Sequence, residues 1–161
     1  MTEQEVLPLK LYPQISPEQQ ATIQEAIGIL ESTLRAGDAF TSAVETKKFC
    51  RLKLGTARDE YFGCLFLDNQ HRLLSFERLF RGTVAGAAVY PRVVVRRSLE
   101  LNAAAVILTH NHPSGVTEPS KADNAMTSRL IHALGLIDVR VLDHVIVSAE
   151  GELSMAEQGL L

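Results

Sequence analysis

His110 and His112 stand two residues apart, and after the seven residues Pro113 to Pro119 come Ser120 and, three further on, Asp123. In extended chain, positions i and i+2 project to the same side, so the two imidazoles share a face and Asn111 takes the opposite one. Such a pair chelates a divalent ion, and neutral imidazole suits zinc. A carboxylate from Asp123, one turn into a following helix, can supply a third ligand. Three protein ligands with one position left open describe a catalytic rather than a structural zinc site, one ion per chain. The open position would hold a water molecule that zinc can make acidic enough to ionise near pH 7.

Plainer roles exist for the same residues. Ser120-x-x-Asp123 is close to a capping box, in which serine caps a helix and aspartate at the third position is favoured by the helix dipole. The two roles are compatible, because a hydroxyl accepts and donates at once: Ser120 can cap the helix and still donate to a substrate oxyanion. His144 reads as a hydrogen-bonded histidine in or beside a strand, with support of a metal ligand as the alternative. His71, on a turn, and His132, on a helix, read as structural or solvated. Cys50 and Cys64 form no C-x-x-C pair and read as reduced core thiols.

The elements that must carry these residues follow from periodicity. Residues 1 to 15 read as an extended arm. Ser16-Pro17-Glu18-Gln19 is a capping box with proline at the first helical position, and Ile23, Ile27 and Leu30 repeat at helical spacing up to Gly37. A second, shorter helix starts at Thr41 or Ser42 and runs to Leu54-Gly55. Tyr61 to Asp68 and His71 to Phe80 read as a hairpin closed by Arg81-Gly82-Thr83. Pro91 opens a helix with Val94, Leu99 and Leu101 on one side, although Val93-Val94-Val95 is poor helix material. Its arginines, Arg92, Arg96 and Arg97, read as a solvated face, with a polyanion contact as the alternative. Ala104 to Leu108 is a short strand buried on both faces. The helix from Ser120 presents Met126, Leu130 and Leu134 and stops at Gly135 as a C′ residue. Asp138 to Ser148 reads as a strand, and the tail as a last strand or short helix. Alternating helices and strands give an α/β class, a mixed β-sheet flanked by helices.

Composition bounds the function. The 161 residues carry a formal net charge of −3 and a pI near 5.9, which lacks the basic excess of proteins that hold nucleic acid chiefly through phosphates. Mean hydropathy is near zero, no apolar run approaches the roughly 18 residues of a spanning helix, and MTEQEVLPLK does not read as an export signal. The expectation is a cytoplasmic protein with no membrane partner.

At His110-Asn111-His112, Ser120 and Asp123 the sequence resembles the JAMM, or MPN-plus, metalloprotease family, whose signature H-x-H-x(7)-S-x(2)-D is filled in full. HNHPSG, LELNAAAVIL and DHVIVS resemble more narrowly the RadC-like branch, including its short prophage-type, UPF0758-like members. Val93 stands where that branch usually has glutamate. The resemblance covers roughly Thr41 to Leu161, so residues 1–40 are expected to be an arm and helix packing on a domain formed by residues 41–161. It implies the cytidine-deaminase-like JAMM/MPN architecture. Residues 1–40 show no pattern for the helix-hairpin-helix region that full-length RadC proteins carry ahead of this domain.

The resemblance also implies roles. Zinc would be held by His110, His112 and Asp123, Ser120 would stabilise a tetrahedral oxyanion, and a glutamate upstream would activate water for hydrolysis of a peptide or isopeptide bond in a protein or peptide substrate. Glu60, Glu77 and Glu100 all lie upstream, and spacing alone does not choose among them. Glu60, immediately before an aromatic strand, is where the family's glutamate resembles this sequence. The alternative is a DNA-associated protein, in repair or as a nuclease, using the same metal. A non-catalytic interaction domain is disfavoured by the full set of ligand types, and a zinc deaminase by the lack of H-x-E and P-C-x-x-C.

Overall fold

A continuously apolar strand needs cover on both faces, and Ala105–Asn111, here β3, is buried along its whole length. The structure, a computed structural model, describes residues 15–36, 42–82 and 88–161; the expectations for residues 1–14, Gly37, Thr41 and Thr83 lie outside them. Before β3 come α1 (Pro17–Ala36), α2 (Ala43–Leu54), β1 (Tyr61–Leu67), β2 (Leu73–Arg81) and α3 (Pro91–Glu100). After it come α4 (Lys121–Gly135), β4 (Arg140–Val147) and β5 (Glu152–Ser154). The sheet order is β2-β1-β3-β4-β5. Among the described residues only β3 and β4 run parallel, joined through α4, so the sheet is mixed as expected.

Strand alternation sorts side chains into two cores. On one face Leu65, Leu67, Ala105, Ile107, Val145 and Val147 meet Phe49, Cys50 and Leu54 of α2. On the other Phe62, Cys64, Phe66, Val106 and Leu108 meet Val94 of α3 and Leu130 and Leu134 of α4. His110 continues the second series along β3, and Asn111 the first. Both cysteines are free and buried, as expected, and burial pushes the Cys50 thiol up to about 12 and that of Cys64 well above its ordinary value.

Local signals start the helices where expected. Ser16 Oγ accepts the Gln19 N–H at 3.2 Å while Gln19 Oε1 accepts the Ser16 N–H at 2.8 Å, and Ser42 caps α2. In α3 the β-branched triplet remains helical because Pro91 starts the first turn and Val94 is fully buried. Leu99, expected on its inner side, is 59% exposed, since the helix turns that position outward. Gly135 is the last residue of α4 rather than its C′ residue; Leu136 is the C-cap and the left-handed position falls on Asp138, at φ 59°.

The arginine face of α3 is not simply solvated. Arg97 donates to Glu77 of edge strand β2 through two N–H groups, Nε at 2.8 Å, and also to Glu100, which lies 3.7 Å from Arg96. Glu77 therefore ties α3 to the sheet edge instead of facing water as a free charge. The hydrogen bonds from Arg97 hold its carboxyl below the usual carboxylate range, against a smaller opposing effect of burial. A carboxyl depressed in this way stabilises the fold above its unfolded value of 4.5 and loses that contribution as pH falls through the folded one. Glu77→Gln should therefore melt at lower temperature than wild type at neutral pH, with the gap closing below about pH 4. A gap independent of pH in thermal melts would show that the ion pair does not tie the edge.

Candidate metal centre

The two histidines share a face because the backbone stays extended past the end of β3. His110 pairs with Phe62 of β1 on one side and Ile146 of β4 on the other, and the His112 N–H donates to the Val147 carbonyl at 2.9 Å. The strand therefore reaches Asn111, three residues beyond the expected Leu108. The chain then turns sharply, with the Gly115 N–H donating to the His112 carbonyl at 3.1 Å and Gly115 at φ +90°, a conformation that favours glycine.

Ser120 ends this loop as the N-cap of α4. Its Oγ accepts the Asp123 N–H at 3.1 Å, and Asp123 Oδ2 accepts the Ser120 N–H at 2.7 Å. The capping box is complete, and it aims the Asp123 carboxylate back at the strand end. Asp123 Oδ1 lies 3.3 Å from His110 Nε2, and Oδ2 lies 3.3 Å from His112 Nε2. The two Nε2 atoms are 2.8 Å apart. His110 and Asp123 are buried, His112 is half-buried, and Ser120 is exposed.

Glu60 completes the group. It stands directly before β1, half-buried, and its carboxylate and the two histidines offer donor atoms that all lie within 4.8 Å of one another. The structure thus brings together Glu60, His110, His112, Ser120 and Asp123. Glu77 and Glu100 are engaged with Arg97 instead.

Charge is balanced within the cluster. Burial works to raise the Asp123 pKa, but the neighbouring imidazoles of His110 and His112 outweigh it and hold the carboxyl well below the usual range. Its hydrogen bond to Asp123 raises the His112 pKa against burial, and the Val116 carbonyl and the charge of Glu60 add to the rise. His112 Nδ1 lies 2.6 Å from the Val116 carbonyl oxygen. A carbonyl only accepts, so Nδ1 carries a proton and Nε2 is the atom His112 turns inward.

The donor set fits a metal ion. Ligand atoms placed tetrahedrally at about 2.0–2.1 Å from zinc lie roughly 3.3 Å from each other, close to the separations of the Asp123 oxygens from both nitrogens. Two imidazole nitrogens facing each other at 2.8 Å also need a cation, a proton or a metal, to relieve the opposition of their lone pairs.

Two supporting residues carried no role in the sequence. Asn111 takes the face opposite the histidines, where its Oδ1 accepts the Tyr61 N–H at 2.7 Å and its Nδ2 donates to the Asp59 carbonyl at 2.9 Å. It therefore grips both sides of Glu60. Thr127 lies one turn beyond Asp123 on α4, with its Oγ 2.6 Å from His144 Nδ1. His144, on β4, places Nε2 2.7 Å from His110 Nδ1, so it is both a buried strand histidine and a partner of a site histidine. Burial pushes its pKa well below the ordinary value. The alternation that puts Asn111 opposite the histidines was visible in the sequence, but its partners, fifty or more positions upstream, were not.

A mixed sheet between helices, with histidines at the end of its central strand and carboxylates brought beside them from α4 and from the segment before β1, is an α/β fold of JAB/MPN type. The chain belongs to the RadC-like JAB domain family, which it matches over residues 40–160. A UPF0758 protein of Marinobacter nauticus is 53% identical over 142 residues, covering 88% of this chain and 63% of the relative. A UPF0758 protein of Nitrosococcus oceani is 54% identical over 142 residues with the same coverage, and one of Stutzerimonas stutzeri is 53% identical over 151 residues, 94% of this chain and 67% of the relative. This chain thus spans about 63% of the length of the first two. No helix among the described residues is long and apolar enough to cross a membrane.

If Asn111 holds the segment that carries Glu60, Asn111→Ala should speed hydrogen exchange of the Tyr61 amide on the order of tenfold, the loss of about one hydrogen bond, and leave the Leu65 amide in mid-strand unchanged. Equal rates at Tyr61 in variant and wild type would remove the clamp.

Proposed function

We propose that this chain is a zinc-dependent hydrolase of the JAMM class that cleaves a peptide or isopeptide bond in a protein or peptide substrate, with His110, His112 and Asp123 as ligands of one zinc ion, Glu60 as general base and Ser120 as oxyanion donor. The observation that carries the reading is the convergence of the two Nε2 atoms and the Asp123 carboxylate, at 2.8 and 3.3 Å, beside the carboxylate of Glu60. When bound, zinc supplies Lewis acidity, polarising a carbonyl and making water ionise near neutral pH. Glu60 takes a proton from the attacking water as the new C–O bond forms, and delivers it to the amine as the C–N bond breaks. Ser120 uses its lone pairs to cap α4 and keeps its hydroxyl proton for the oxygen on which negative charge develops. Asn111 holds Glu60 in place from behind. Membership of the RadC-like JAB domain family supports the same chemistry.

The DNA-associated alternative draws on the arginines of α3. Arg97 is engaged by Glu77 and Glu100, and Arg96 lies beside Glu100, which leaves less free positive charge than the sequence suggests. The amide-hydrolase reading is therefore preferred.

Protein purified without chelator should contain about one equivalent of zinc per chain, and His110→Ala or His112→Ala should abolish it. Stoichiometric zinc in both variants by elemental analysis would refute the ligand assignment.

On a peptide or isopeptide library, Glu60→Gln should keep its zinc and fold yet lose turnover on the order of a hundredfold. Ser120→Ala should lose on the order of a hundredfold in rate and about 1 kcal/mol of stability as a missing N-cap. Wild-type turnover by zinc-loaded Glu60→Gln would exclude it as the base, and a loss of stability alone in Ser120→Ala would leave Ser120 only a cap.

A further inference from the structure

We propose that Thr127 and His144 form a directional hydrogen-bond relay that fixes the tautomer of His110, keeping its proton on Nδ1 and its lone pair on Nε2. The significance of this relay rests on the reading of His110 as a metal ligand; its direction does not. Thr127 Oγ lies 2.7 Å from the backbone carbonyl oxygen of Asp123 and 2.6 Å from His144 Nδ1. The carbonyl can only accept, so the single hydroxyl proton is committed to it. Thr127 then offers His144 a lone pair, and His144 must bring the proton on Nδ1.

Direction passes from there to the site. His144 is fully buried, an environment that disfavours imidazolium, and a neutral ring protonated on Nδ1 has a bare Nε2. That atom is 2.7 Å from His110 Nδ1, which must therefore donate. His110 is left with its lone pair on Nε2, the atom facing His112 and Asp123. The opposite direction would set two oxygen acceptors, Thr127 Oγ and the Asp123 carbonyl, against each other at 2.7 Å and would put the His110 proton on the site side. Packing holds the rings in line: Phe62 stacks on His110 at 6.5 Å between ring centroids and meets His144 edge-on at 5.8 Å, and the Met155 sulfur lies 3.9 Å from Thr127 Oγ. Thr127 and His144 are thus positioning residues. They touch neither substrate nor the candidate ion.

Nitrogen NMR tests the relay without a substrate. Metal-free protein of all 161 residues with 15N-labelled histidine, at about pH 8 and so above the ordinary histidine range, should show protonated Nδ1 and bare Nε2 at both His144 and His110. In competition with a chelating dye, Thr127→Val should bind zinc ten- to hundredfold more weakly than wild type, and Thr127→Ser, which keeps the hydroxyl, should bind close to wild type. A proton on Nε2 of His144 overturns the relay, as does Thr127→Val holding zinc as tightly as wild type. If Thr127→Val does not fold, the wild-type tautomers decide. If wild-type protein takes up no zinc, the metal reading fails and the tautomers still judge the relay.

Discussion

His110 Nε2 and His112 Nε2 oppose one another across 2.8 Å, and most of the structure around them serves to keep them there. A pair of imidazoles left to itself would turn its lone pairs apart toward water. Here His110 is clamped in a strand buried on both faces, and His112 is held by a ladder bond to Val147 and by the Val116 carbonyl. The Asp123 carboxylate balances the charge that such an arrangement attracts, and it is itself fixed by the capping box that begins α4. Helix start and charged site are one construction, so the site inherits the rigidity of secondary structure rather than the mobility of a loop.

Keeping polar groups inside a domain requires that each find a partner, and here the partners are linked. Below His110 the line runs through His144 to Thr127 and the backbone of α4. Asp143 is spent elsewhere, accepting from the His144 N–H, Ser154 Oγ and the Ala156 N–H, so it ties β4 to the tail rather than joining the site. The adjacent residues Asp143 and His144 thus do separate work on opposite faces of one strand.

Much of this was legible in the sequence, and the reason is locality. The H-x-H pair, the loop, the cap and the carboxylate lie within one strand-loop-helix unit, where period-2 alternation and capping rules suffice to place them. The same rules gave the hairpin, the start of α3 and the buried central strand. What could not be read depends on contacts between distant segments: Arg97 on Glu77, Asn111 on the chain around Glu60, and His144 under His110. The misplacement of Leu99 and of the end of α4 has a different origin, since apolar periodicity fixes a helix face only to within a residue or so.

The division between local and distant parts bears on how the centre comes into being as the chain folds. His110, His112 and Asp123 are brought together by closing a short loop, which costs little chain entropy. Glu60 arrives only when β1, from much earlier in the sequence, has found its antiparallel register beside β3. A chain with β3 and α4 docked but β1 still unpaired would have its three inward-facing donors assembled and, on the proposed mechanism, no base beside them. If the proposed roles hold, order of assembly separates the capacity to hold a cation from the capacity to use it.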